Sequence, residues 1–175
     1  MVVSDNNVAY IDGANLHHGI MELGWKFDYR RFRVWLREKY AVRNAYLFLG
    51  LMPKHSGLYA KLQEQGYMLI FKEVVYNRDG KAKANCDADI VVKAMQDAYE
   101  GDFAKAILVS SDGDYAPLIK FLSEKEKLEG ILSPYPTKKC SILLKRTGAK
   151  IAYITDQKSA LGAQQEKAPD ADGTA

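Results

Sequence analysis

Cysteine, proline and histidine are scarce in these 175 residues, numbering two, five and three. Cys86 and Cys140 stand alone, without CxxC spacing, so neither a zinc knuckle nor a disulfide framework is expected. Both thiols suit a reducing compartment, as small apolar packing residues. No apolar run reaches the roughly 18 residues needed to cross a bilayer, so no membrane association is expected. Met1 to Asn7 lacks a basic segment followed by an apolar one, and a cytoplasmic location is expected. Neither a GxxxxGKS/T loop nor a GxGxxG turn follows the first apolar run, which leaves no cradle for a nucleotide cofactor. Aspartyl-phosphate chemistry would want a second acid two residues after Asp12, where Ala14 stands.

The remaining composition is ordinary for one globular domain, at 47% hydrophobic and 27% charged. The formal charge is +3, from 25 basic and 22 acidic side chains. Setting aside five motif aspartates as neutralised by metal leaves 17 acids against 25 bases, or +8, a surface that modestly favours a polyanion.

Apolar runs suited to buried strands occur at Val8 to Ile11, Ala45 to Leu49, Met68 to Phe71, Ala106 to Val109, Gly130 to Leu132 and Ile151 to Ile154. Helical spacing appears between them: Phe32, Trp35, Leu36 and Tyr40; Leu58, Leu62 and Gln65; then Ile90 to Tyr99, Tyr115 to Leu122 and Cys140 to Leu144. This alternation predicts an α/β fold, a mainly parallel sheet with helices on both faces. Residues 1–156 are expected to form the domain. Gln157 to Ala175 has one leucine and no aromatic residue, and is expected to be a disordered tail. Glu73 to Ala84 is expected to be a hairpin-like or mobile basic loop around Asp79 and Gly80. Arg30, Arg31, Arg33 and Arg37 are expected on the outer face of the second helix. Oligomeric state is left open, with a homo-oligomer compatible with the chain.

Three aspartate-bearing segments lie where a strand-like run meets a helix-like one: Ile11-Asp12-Gly13-Ala14-Asn15, Asn85-Cys86-Asp87-Ala88-Asp89 and Ser110-Ser111-Asp112-Gly113-Asp114-Tyr115. In an open parallel sheet such junctions converge beyond the carboxyl ends of the strands. Gathered carboxylates repel one another unless protons, bases or hard cations intervene, and Mg²⁺ or Mn²⁺ takes oxygen ligands of this kind. Taken singly, each acid is explained as a helix cap worth about 1 kcal/mol. Capping does not explain three motifs at one sheet edge, two of them with paired acids. Asp89 is the outlying member, about 200° around a helix from Asp87, and is expected in solvent or paired with Lys93.

The same three motifs, in order and spanning Val8 to about Ile154, resemble the NYN domain family, LabA-like branch, among the PIN-like nucleases. The resemblance implies a three-layer α/β/α sandwich and a cluster of aspartates binding Mg²⁺ or Mn²⁺ for endonucleolytic hydrolysis of RNA. Asp12, Asp87 and Asp112 match the family's central acids, Asn15 and Asp114 its companions, and Ser110 the small hydroxyl residue often found there. Cys86 departs from the usual aliphatic residue while remaining small and apolar.

On this reading Asp12, Asp87, Asp112 and Asp114 ligate metal, and Asn15 fixes the phosphate or a bound water. The substrate side falls to Ser110, Ser111, Lys72, Arg78, Lys81 and Lys83, with Tyr76 able to stack on an unpaired base, while the Ser110 and Ser111 hydroxyls can equally support the acids and Asn15 from behind. Lys138 and Lys139 form a second basic patch. His17 and His18 offer imidazoles that a hard-cation site does not require. A non-catalytic RNA-binding or regulatory adaptor with the same fold stands as the alternative.

Overall fold

The computed structural model describes residues 6–164. Eight strands and seven helices follow in chain order: β1 (Asn7–Asp12), α1 (Gly13–Met21), α2 (Tyr29–Tyr40), β2 (Val42–Gly50), α3 (Ser56–Glu64), β3 (Tyr67–Lys72), β4 (Val75–Tyr76), β5 (Ala82–Lys83), α4 (Asp87–Glu100), β6 (Ala106–Val109), α5 (Ala116–Glu124), β7 (Leu128–Ser133), α6 (Ile142–Lys145), β8 (Ile151–Tyr153) and α7 (Lys158–Leu161). Six strands form one parallel sheet in the order β3-β2-β1-β6-β7-β8. The chain steps outward from β1 in one direction and from β6 in the other, so the topology reverses between these two neighbours. That switch point opens a crevice at the carboxyl ends of the strands.

The central strands read as unbroken apolar runs because both faces are covered. In β1, Val8 and Tyr10 pack with Ile90, Ile119 and Leu122 beneath α4 and α5. Ala9 and Ile11 face the other way, onto Leu16, Phe32, Leu36 and Leu62 from α1, α2 and α3. The result is the expected three-layer sandwich.

Several local expectations change. Residues 157–164 do not begin a disordered tail: α7 buries Leu161 completely, and Phe27 bridges Gly162. Arg31 donates to the carbonyls of Gly162 and Ser159, tying α2 to that segment. The remainder of the expected tail, 165–175, lies outside the described residues. Arg33 is likewise no surface decoration, since it donates to the carbonyls of Gly66, Val42 and Arg43. The hairpin expected within Glu73 to Ala84 is present, residues 75–83 forming an antiparallel pair of β4 and β5. The Asn77 carboxamide oxygen accepts the Asp79 and Lys81 N–H groups across its turn, and Gly80 supplies a φ of +72°.

Candidate active site

β1 ends on Asp12, which is buried and whose side chain accepts the Asn15 N–H at 3.1 Å, capping α1. Gly13 follows because a Cβ there would overlap the Phe48 carbonyl oxygen and the Leu49 side chain of β2. β6 leads through Ser110 and Ser111 to Asp112, which accepts the Asp114 N–H at 3.0 Å in a single 3₁₀ turn (Gly113–Tyr115). A Cβ on Gly113 would overlap the Ser141 hydroxyl oxygen, so this glycine too admits close packing. α4 begins at Asp87, whose N–H donates to the Asn85 side chain at 2.9 Å. Each aspartate thus caps or opens a helical turn, as the capping explanation requires, and all three turns converge at one edge.

Within that edge, carboxylate oxygens of Asp87, Asp112 and Asp114 come within 4.8 Å of one another. No lysine or arginine pairs with these three among the described residues. Three converging oxygen donors without a basic partner make a donor set suited to a hard divalent cation. Asp12 stands behind them rather than among them. The Tyr115 hydroxyl links it to the cluster, lying 3.0 Å from Asp12 Oδ2 and 2.8 Å from Asp87 Oδ1.

Burial pushes the Asp12 carboxyl above the usual carboxylate range; the Asn15 N–H and Tyr115 hydroxyl oppose the shift, and the Asp87 and Asp112 charges add to it. The Tyr115 hydroxyl is driven far upward, by burial first and then by Asp12 and Asp87, so it remains a donor. Cys86 is pushed up to about 11, chiefly by burial, and is therefore an inert thiol at neutral pH.

The serines take the supporting role of the two expected for them. Ser110 is fully buried and its hydroxyl accepts the Asp112 N–H at 3.1 Å; Ser111, also buried, donates both N–H and hydroxyl to Asn15 Oδ1 at 3.0 Å. Their hydroxyls are engaged internally, so they position Asp112 and Asn15 rather than bind substrate. With its oxygen occupied by Ser111, Asn15 keeps its amide N–H groups for the cleft that it lines.

Lys72 is drawn to Asp89 at 2.7 Å, so that ammonium is held by a carboxylate. Asp89 therefore pairs across to β3 and not with Lys93, which binds Asp97 at 2.6 Å instead. Lys139 pairs with Glu22, removing half of the second basic patch. Tyr76, Arg78, Lys81 and Lys83 are exposed on the hairpin, and none of these three cations has a carboxylate partner among the described residues. Two features escaped sequence reasoning. Tyr115 reads as the start of an apolar helix face, and only its place directly after Asp114 marks it. Asp97, accepting the Tyr10 hydroxyl at 2.7 Å, is a buried acid with no motif around it.

Asp12, Asp87 and Asp112 line a cleft of about 860 Å³ walled by α1, the β2–α3 segment and the hairpin with its flanks. Fold and site together define an α/β sandwich of PIN-like form with an acidic centre at its switch point. The NYN domain model matches residues 7–153, and the chain belongs to that family of nuclease-type domains. It is 29% identical over 127 residues to Low amplitude and bright protein LabA of Synechococcus elongatus, covering 67% of each chain. A crystal structure of a Vibrio parahaemolyticus protein of unknown function superposes with a TM-score of 0.72 at 22% identity, covering 92% of this chain and 99% of the other. That likeness concerns the fold.

Proposed function

We propose that this protein is a metal-dependent ribonuclease that hydrolyses phosphodiester bonds within RNA. The observation that carries the reading is the convergence of Asp87, Asp112 and Asp114, with no basic partner among the described residues, beside an open cleft at the switch point that Asp87 and Asp112 line. These three would hold Mg²⁺ or Mn²⁺, with Asp12 linked to Asp87 through the Tyr115 hydroxyl. Bound there, the cation supplies a Lewis acid that makes water nucleophilic near neutral pH and offsets charge on the phosphate. The chain's own residues bind and orient. Asn15 donates its free amide N–H groups toward a phosphate oxygen, Ser111 fixes that amide, and Tyr115 sets the separation of Asp12 and Asp87. Arg78, Lys81 and Lys83 attract neighbouring phosphates, and Tyr76, 62% exposed, offers a stacking face. The family chemistry would leave a 5′-phosphate and a 3′-hydroxyl.

One observation favours the adaptor reading: Asp12 and Asp87 share the Tyr115 hydroxyl as a common hydrogen-bond partner. Labelled single-stranded and structured RNAs, incubated with Mn²⁺ or Mg²⁺, separate the two. The ribonuclease reading expects cleavage that disappears in EDTA and in the Asp12→Asn, Asp112→Asn double variant. RNA binding without cleavage under every condition supports the adaptor.

A further inference from the structure

The cleft is larger than a phosphate and its cation require. Its 860 Å³ falls in the roughly 300–1,000 Å³ range of sites that take a drug-sized ligand. Away from the acids its lining is mainly apolar, including Met21 of α1 at 72% exposure and Leu58 of α3 at 49%, large side chains left in water. Tyr59 is a rigid part of the same lining. Its hydroxyl accepts the Met52 N–H at 3.0 Å and donates to the Gly50 carbonyl at 3.1 Å, and its ring packs edge-on to Phe71 with centroids 4.8 Å apart. His17 and His55 add exposed imidazoles, planar groups with hydrogen-bonding edges.

We infer that this part of the cleft is a subsite for one unpaired nucleobase of an RNA strand, held between α1 and α3 while the adjoining phosphate faces the acids. The inference rests on the ribonuclease reading for the identity of the strand. Two observations select this occupant. The apolar lining is continuous with the acidic centre in one cleft, so a ligand filling it presents its polar end to that centre. The hairpin that supplies Ala82 to the lining, flanked there by Val74 and Ala84, also carries Arg78, Lys81 and Lys83, cations complementary to a phosphate backbone. A flat apolar body attached to an anionic chain matches both, and a base paired in a duplex could not enter.

The test uses the full chain carrying Asp112→Asn, in Mg²⁺, with labelled single-stranded RNAs in which an abasic residue is moved through successive positions. Loss of the base at one position should weaken binding by about tenfold, the scale of a base stacked on protein. Met21→Ser with Leu58→Ser, added to that background, should weaken intact RNA by a similar factor and abolish the difference between intact and abasic strands. Both side chains are solvent-exposed, and an unchanged melting temperature would verify that the fold is kept. Equal binding of every abasic RNA, or discrimination that survives the double substitution, overturns the subsite. Wild-type protein that cleaves RNA without base discrimination leaves the ribonuclease reading standing while this one fails. Discrimination without cleavage does the reverse, and absence of RNA binding overturns both.

Discussion

Tyr115 has one hydroxyl proton and faces two carboxylates, so it donates to only one at a time. Its contact with the second is a hydrogen bond only if that carboxyl carries a proton, and burial drives Asp12 in that direction. A carboxyl with a raised folded-state pKa binds its proton more tightly folded than unfolded. Its contribution to stability is therefore present at low pH and lost as pH rises from about 3.9, the ordinary Asp value, through the raised one. In EDTA, the melting temperature of wild type should fall across that window, while Asp12→Asn should show a shallower slope and melt higher at neutral pH. Identical pH profiles would mean that Asp12 bears no such strain. Tyr115→Phe removes a donor from a buried acid and should cost about 1–3 kcal/mol in urea unfolding without metal. Saturating Mn²⁺ should shrink that loss, whereas an equal loss with and without Mn²⁺ would separate Tyr115 from the cation site.

Glycines set how closely the site's elements approach. Gly13 opens α1 against the Phe48 carbonyl, and backbone cannot move aside as a flexible side chain can. Gly13→Ala should therefore destabilise by about 1–3 kcal/mol, the usual range for overpacking, as read from the urea midpoint. A neutral effect would show that α1 is free to shift. The central strands were legible in the sequence because a strand buried on both faces must be apolar throughout, as Ala106 to Val109 is. Pairings between elements were less legible. Lys93 lies four residues from Asp89, yet Lys72 reaches Asp89 from β3, because sequence spacing does not encode which strand passes beside a helix. Ser110 and Ser111 stand in the site motif, and their hydroxyls support Asn15 and Asp112. Their burial follows from strand β6 running on into the crevice floor.

At the scale of the whole molecule, the domain extends beyond the boundary expected at residue 156. Polar composition from Gln157 onward concealed one anchoring side chain, Leu161, and two backbone carbonyls that receive Arg31. Leu161→Ala should cost about 2–5 kcal/mol, typical for a fully buried leucine, and a cost near zero would detach the segment from the core. The acidic centre was legible because topology alone brings β1 and β6 side by side and sends both Asp12 and Asp112 to one edge. The ranking within the centre was not legible, since the burial of Asp12 and its contact with Tyr115 arise from packing that sequence spacing does not encode. Calorimetric titration with Mn²⁺ tests the centre most directly, comparing wild type with Asp112→Asn. The structure predicts binding to wild type and at least a tenfold loss of affinity in the variant; equal affinity, or no binding by either protein, would contradict a cation site at these three aspartates.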